Sequence, residues 1–216
     1  MLARAAVPVV LIDPAGDPAA GLPAVGAANW AGGLAATRHL IDLGHRRIAA
    51  LMGPASTMTA VARMDGYRAA LSAAALRAPA DWERFGPADP ADAGRAATAM
   101  LSGGTLPTAI IAGSDAQAAG VLRAARAIGV GVPESLSVVG FGDPGGSDLR
   151  EPALTTVRLP LREMAETAAR LLLHPAAPGS AQPVRVELAT SLVVRASTAP
   201  PPEDDAADGA GGAHPA

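Results

Sequence analysis

Apolar runs of strand length alternate along this chain with segments of helical period. Four runs stand out: VPVVLI (Val7–Ile12), IAALM (Ile48–Met52), TAIIA (Thr108–Ala112) and LSVVGF (Leu136–Phe141). They are continuously apolar, the pattern of strands buried on both faces in a parallel sheet covered by helices. Between them, Leu34, Thr37 and Ile41 share one helical face, with Arg38 and Asp42 paired on the other and Gly44 as the stop. Met64, Tyr67 and Leu71 mark a second helix, and Val121, Leu122, Ala125 and Ile128 a third. The fourth helix is the clearest. Pro160 suits its first turn, Leu161, Met164, Ala165, Ala168 and Leu172 form its stripe, and Arg162, Glu166 and Arg170 line its wet side. Beyond it, HPAAPGSAQP reads as a loop, VRVELATSLVVRAS as one or two strands, and the stretch from Thr198 onward lacks the apolar residues to fold.

The chain has 216 residues, 50% of them hydrophobic and 17% charged, with a formal net charge of −3, which describes a folded protein of one large domain or, as favoured here, two small lobes. Its 17 basic residues are all arginine and are scattered, so no basic stripe exists to neutralise a phosphate backbone. Any role at nucleic acid is therefore indirect. The lack of cysteine removes disulfides, thiolate nucleophiles and thiolate metal sites, and suits the cytoplasm. The opening apolar run is cut by Pro8 and stopped by Asp13, far short of a membrane span and unlike a signal peptide.

In such a sheet, ligands collect at the carboxyl ends of the strands, where loops and helix N-termini present unpaired N–H groups. That rule selects Asp13-Pro14, Gly53 to Thr59, Gly113-Ser114-Asp115 and Gly142-Asp143. Polar exits from apolar strands point to a polar small molecule. Each candidate also has a plain structural use. Asp115 precedes a helical run and suits an N-cap, while Asp143 and Asp13 suit turns. Arg63 reads as the start of its helix, where the macrodipole disfavours a cation. A partner anion or ligand explains it, and so does simple exposure.

Enzyme signatures are lacking: there is no lysine for a phosphate loop, no Gly-x-Ser-x-Gly and no His-Glu-x-x-His. His39, His45, His174 and His214 lack metal-ligand spacing, and His45 after Gly44 reads as a surface group at a helix end. No catalytic residue, metal or cofactor is expected.

The stretches NWAGGLAATRHLIDLGHRRIAALMGP (Asn29–Pro54), ARMDGYRAAL around Arg63, LPTAIIAGSDAQAAGVLRAARAIGVGVPESLSVVGFGD (Leu106–Asp143) and PALTTVRLPLREMAETAARLLL (Pro152–Leu173) resemble the effector-binding domains of the LacI/GalR family of sugar-responsive repressors. The likeness is colinear from about Val7 to Thr198. It implies an α/β fold of the type I periplasmic-binding-protein kind, two Rossmann-like lobes with parallel sheets and an effector in the cleft between them. On this mapping residues 1–27 and 157–181 are the remnant of an incomplete N-terminal lobe, 28–156 and 182–198 the C-terminal lobe, and 199–216 a disordered tail. Crossings are expected near Ala27, Thr156 and Gln182. The family's helix-turn-helix head and hinge, which bind operator DNA, have no counterpart here, and a homodimer is implied. With its first lobe incomplete, the isolated chain is expected to expose a sheet edge and to aggregate.

The resemblance also assigns the site. Arg63 matches the family's effector-binding arginine, whose planar fork can hold two ligand oxygens. Asp13 matches a carboxylate on the N-terminal side of the cleft, and Thr57 and Thr59 fall where family members present hydroxyls. The family's Asn-Asp pair is Ser114-Asp115 here, and its Asp-Asp pair is Gly142-Asp143, so one carboxylate is gone. No aromatic is evident to stack on a sugar face, although Asp89 lies near that place. The missing carboxylate leads to the expectation of a sugar acid or a smaller polyol as effector. A solute-binding protein for sugar uptake would share the fold and pocket, and an enzyme would need a reacting pair that is not visible.

Overall fold

The computed structural model describes residues 8–16, 22–145, 151–174 and 184–202. Val7 of the first predicted strand, the loop over 175–183 with its expected crossing at Gln182, and the tail from 203 onward with His214 lie outside them.

The strands are β1 (Leu11–Ile12), β2 (Ala24–Ala27), β3 (Ile48–Met52), β4 (Glu83–Phe85), β5 (Ala109–Ala112), β6 (Ser137–Gly142), β7 (Thr155–Arg158), β8 (Arg185–Leu188) and β9 (Ser191–Val193). They form two sheets. The smaller runs β1-β2-β8 and is wholly parallel. The larger runs β4-β3-β5-β6-β7-β9, with only β9 antiparallel to its neighbour. Helices α1 (Asn29–Asp42) and α2 (Met58–Ala73) cover one face of the larger sheet, while α3 (Pro90–Leu101) and α4 (Asp115–Ala127) cover the other. Helix α5 (Leu161–Leu173) sets Met164 and Ala168 on Val25 and Ala27 of the smaller sheet. Among the described residues no helix is long and apolar enough to cross a membrane.

Side-chain alternation explains the apolar runs. Ile48, Ala50 and Met52 face α1 and α2, whereas Ala49 and Leu51 face α3 and α4. Both parities of β3 are therefore core. Each fully buried Ile or Leu here contributes roughly 1.5–3 kcal/mol.

Several expectations are corrected. Strands β2, β4 and β7 carry no long apolar run, and β7 is half threonine because Thr155 and Thr156 bond inside the core, Thr155 Oγ1 accepting from the Arg195 N–H at 2.9 Å. Helix α3 is built mostly of alanine, so its apolar stripe is faint. Asp89 caps it, accepting from the N–H groups of Ala91 and Asp92, and so holds a helix rather than a ligand. Helix α2 begins at Met58, which puts Arg63 in its second turn rather than at its start. The stretch after 184 divides between sheets: β8 pairs with β2 over four residues, so the return crossing follows Leu188 instead of lying near Gln182. Likewise β7 keeps its pairing to Arg158, two residues past the crossing expected at Thr156.

His45 is not a surface group. It is 1% exposed and sits within 2.9 Å of Thr108 Oγ1, Ser137 Oγ and the Ala199 carbonyl oxygen. Those contacts also correct the beginning of the expected tail. Ala199 is held by Ser137, which accepts from its N–H at 3.1 Å, and His39 Nε2 meets Thr198 Oγ1 at 3.0 Å.

Helices α1 and α2 approach at backbone distance. A β-carbon on Gly33 would collide with the Arg63 carbonyl oxygen, and one on Gly66 with that of Trp30. Both glycines are therefore spacers, and the crossing they allow sets the head of α1 beside Arg63. Gly66→Ala should push the helices apart and lower stability by about 1–3 kcal/mol. Thermal unfolding should register this as a drop of roughly 2–4 °C per kcal/mol.

Burial lowers the pKa of His39 from 6.5, with Asp42 partly offsetting the effect. The unfolded chain therefore takes up the proton first as the pH falls, so the folded state loses stability progressively below about pH 6.5. His39→Gln, which keeps a polar partner for Thr198, should flatten that part of the melting-temperature curve.

Candidate functional site

The order of the larger sheet reverses at β3: β4 lies on one side, and β5, β6 and β7 on the other. Ligands of open α/β sheets bind in the crevice outside the carboxyl ends of the strands at such a reversal. Arg63 occupies this place. Its Nη1 donates to the carbonyl oxygen of Gly113, just past β5, at 2.5 Å, and its Nε donates to Asn29 Oδ1 at 2.8 Å. The guanidinium lies 3.9 Å from the ring centroid of Phe141 near the end of β6. Such stacking is worth roughly 0.5–2 kcal/mol. Burial pushes the Arg63 pKa down to about 10 while Asp13 pulls it back up, so the group stays a cation at neutral pH. Among the described residues Nη2 has no partner.

Asn29 joins this cation to the smaller sheet. It opens α1, is 7% exposed, and donates from Nδ2 to Asp13 Oδ1 at 3.1 Å and to the Ala27 carbonyl oxygen at 3.0 Å. Its two ends cannot be exchanged, because only the nitrogen can donate to a carboxylate and only the oxygen can accept from Arg63 Nε. Asp13 follows β1 at φ 43°, a left-handed conformation that Asp tolerates better than most residues. The loop beyond it is tied to α2, where the Met58 N–H donates to the Ala15 carbonyl oxygen at 2.6 Å.

A cavity of about 190 Å³ opens here, lined by Asp13, Asn29, Trp30, Met58, Thr59 and Glu187 among others. Three of the sequence-predicted residues thus meet: Asp13 and Thr59 on the cavity wall, and Arg63 one hydrogen bond behind Asn29. Thr57 lines a neighbouring hollow, with its Oγ1 donating to the Pro54 carbonyl oxygen at 2.8 Å.

The other three candidates stand at the β5 and β6 exits with their side chains committed elsewhere. Ser114 is the N-cap of α4, its Oγ accepting from the Gln117 N–H at 3.1 Å. Asp115 is the first residue of the helix rather than its cap, and it is 4% exposed. Its Oδ1 accepts from Thr156 Oγ1 at 2.5 Å and its Oδ2 from the Asp143 N–H at 3.0 Å. Asp143, at φ 51°, is gripped by two arginines, Arg158 at 2.7 Å and Arg195 at 3.0 Å. These carboxylates fasten β6 to β7 and to the segment after β9.

Asn29, Trp30, Phe141, Glu187 and the Gly113 carbonyl escaped the sequence reading. An aromatic is in fact present, since Trp30 is 48% exposed and lines the cavity. An Asn-Trp pair at the head of an amphipathic run was the available signal for the first two. Phe141 gave none, because it reads as strand, and Gly113 was picked only as part of the exit after its strand. Among the described residues no three His, Asp or Glu side chains are placed to hold a metal ion.

Comparison with known proteins gives a concordant result. The profile of the periplasmic binding protein-like domain matches residues 37–198. The HTH-type transcriptional repressor PurR of Escherichia coli O1:K1 is 34% identical over 174 residues, covering 81% of this chain and 51% of the repressor. The HTH-type transcriptional regulator CelR of Thermobifida fusca is 36% identical over 198 residues, covering 91% and 58% respectively. The chain therefore spans about half the length of the curated relatives it matches. Among solved structures, a LacI family transcriptional regulator from Mycobacterium smegmatis superposes with a TM-score of 0.82 at 36% identity, over 91% of this chain and 72% of that one. A complex of the regulator CelR with cellobiose superposes with a TM-score of 0.76 at 34% identity, over 87% and 58%. The chain belongs to the periplasmic binding protein-like domains and, among them, to the effector-binding domains of the LacI family of transcriptional regulators.

Proposed function

We propose that this chain senses a neutral polyhydroxylated effector, a sugar or polyol, at the cavity between its two sheets, and catalyses no reaction. The observation that carries the proposal is the Asp13–Asn29–Arg63 chain, which sets a partly unsatisfied guanidinium beside a cavity walled by Asp13 and Glu187. Carboxylates accept strongly from sugar hydroxyls. Two carboxylates against one guanidinium also disfavour an anionic ligand, so a neutral sugar is preferred over the sugar acid that the lost carboxylate at Gly142 suggested. The cellobiose bound to the related CelR is a ligand of this class.

In the whole protein, effector binding would change the balance between two arrangements of the sheets about the crossings after Ala27, Arg158 and Leu188. A helix-turn-helix head would convert that balance into operator affinity in the cytoplasm, in a homodimer. The two lobes of the proposal are residues 1–27 with 159–188, and 28–158 with 189–198. A solute-binding protein would use the same pocket, but the relatives found are transcriptional regulators.

Isothermal titration of the chain with neutral hexoses, pentoses and their uronic acids tests this. A neutral sugar should bind more tightly than its acid. Arg63→Ala should weaken that binding by roughly 10- to 150-fold, the equivalent of losing a charged hydrogen bond worth about 1.5–3 kcal/mol. Tighter binding of the acid, or an unchanged affinity in an Arg63→Ala protein that still melts cooperatively, would count against the proposal.

A further inference from the structure

Trp30 is the second residue of α1 and one of two tryptophans in the chain; the other, Trp82, is buried in the core. Its indole borders two hollows. With Met58 and Ala62 it lines both the Asp13 cavity of about 190 Å³ and a neighbouring hollow of about 360 Å³. The second hollow is completed by Ser56, Thr57, Val61 and Asp65. Three large apolar side chains, Trp30, Met58 and Val61, are thus exposed together at 48%, 53% and 37%. Beside them stand two hydroxyls and the half-exposed carboxylate of Asp65, whose one charged contact among the described residues is Arg68 at 3.4 Å.

An aromatic face rimmed by hydroxyl and carboxylate oxygens matches a sugar ring, whose C–H face is apolar and whose edge is a belt of hydroxyl donors. Size points the same way. The Asp13 cavity alone lies below the roughly 300–1,000 Å³ usual for ligand pockets, whereas the neighbouring hollow of about 360 Å³, which shares Trp30, Met58 and Ala62 with it, lies inside that range. The Ala15–Met58 hydrogen bond ties the loop after β1 to the head of α2 beside the cavity.

We infer that the effector site continues past Trp30 into the second hollow, and that its ligand is a pair of linked sugar rings. One ring occupies the Asp13 cavity and the other packs against the indole, with Thr57 and Asp65 receiving its hydroxyls. Trp30 is then the residue that selects a disaccharide over its monosaccharide. This inference rests on the effector function proposed above.

The test is titration of the 216-residue chain with glucose, galactose and xylose and with cellobiose, lactose and xylobiose, repeated in Trp30→Ala, Trp30→Phe and Arg63→Ala. For the sugar recognised, the disaccharide should bind about tenfold or more tightly than its monosaccharide, near the 1.4 kcal/mol that corresponds to a factor of ten. That ratio should fall to near one in Trp30→Ala and be largely kept in Trp30→Phe. Disaccharide binding should also quench or blue-shift tryptophan emission, and Trp30→Phe should remove the change. Arg63-dependent binding of a monosaccharide with no disaccharide advantage, or with an advantage that survives Trp30→Ala, overturns the extended site and leaves the effector function standing. If no sugar shows binding that Arg63→Ala weakens, both fall.

Discussion

The site depends on one amide. Asn29 stands between a carboxylate carried by the smaller sheet and a guanidinium carried by a helix on the larger one, and it bonds to both. A half-buried cation in such a place is costly unless its N–H groups are met, and a direct ion pair would have consumed the carboxylate. The amide avoids this. It orients Arg63 while leaving Asp13 one oxygen outside that bond and Arg63 an Nη2 without a partner among the described residues. None of this geometry survives if α1 and α2 separate, so the close crossing at Gly33 and Gly66 belongs to the site as much as the polar groups do.

The remaining polar exits look equivalent in sequence and are not. Asp13, Asp115 and Asp143 all follow apolar strands, yet only the first borders the cavity. What separates them is the supply of donors. Asp115 finds a threonine hydroxyl and a backbone N–H within the larger sheet, and Gly140 lacks a side chain where the Asp115 carboxylate packs. Asp143 finds two arginines, Arg158 at the end of β7 and Arg195 just past β9. A carboxylate surrounded by such donors becomes a brace. The Asp143 brace joins the exit of β6 to the end of β7, where the chain leaves the larger sheet, and to the segment after β9.

Legibility followed side-chain size. Strands β3, β5 and β6 were readable because isoleucine, leucine, valine and methionine fill both faces, and α5 because its two sides differ sharply in polarity. Strand β2 (AVGA) carries one bulky apolar residue, β4 is three residues long, β7 hides threonines inside the core, and α3 presents alanine to alanine, so the same physical burial left little mark. At the site, Asp13 was legible as a charge at a strand exit and Arg63 as a cation where a helix start was expected, and both by likeness to a known family. Trp30 and Asn29 were not, since the strand before them, AVGA, has too little apolar bulk to announce that an exit follows. His45 misled for the opposite reason. A polar residue after a helix-stopping glycine suggests solvent, but the chain turns inward there and the hydroxyls of Thr108 and Ser137 receive the ring.

A ligand can shift the arrangement of two bodies only by binding one arrangement better than the other. In the proposed sensor the cavity would meet this condition through its composition. Asp13 and Glu187 belong to the smaller-sheet side, whereas Thr59, Met58 and Trp30 ride on helices of the larger sheet, so one molecule touching all of them bonds to both bodies at once. If the sheets part, each group keeps its own body but the ligand loses half its contacts. The Asn29 bridge opposes the same parting without any ligand, holding Asp13 near Arg63 through two hydrogen bonds, each to a charged group. In the proposed sensor, a bridge of this kind would bias a closed arrangement and leave a ligand's added bonds to decide the balance.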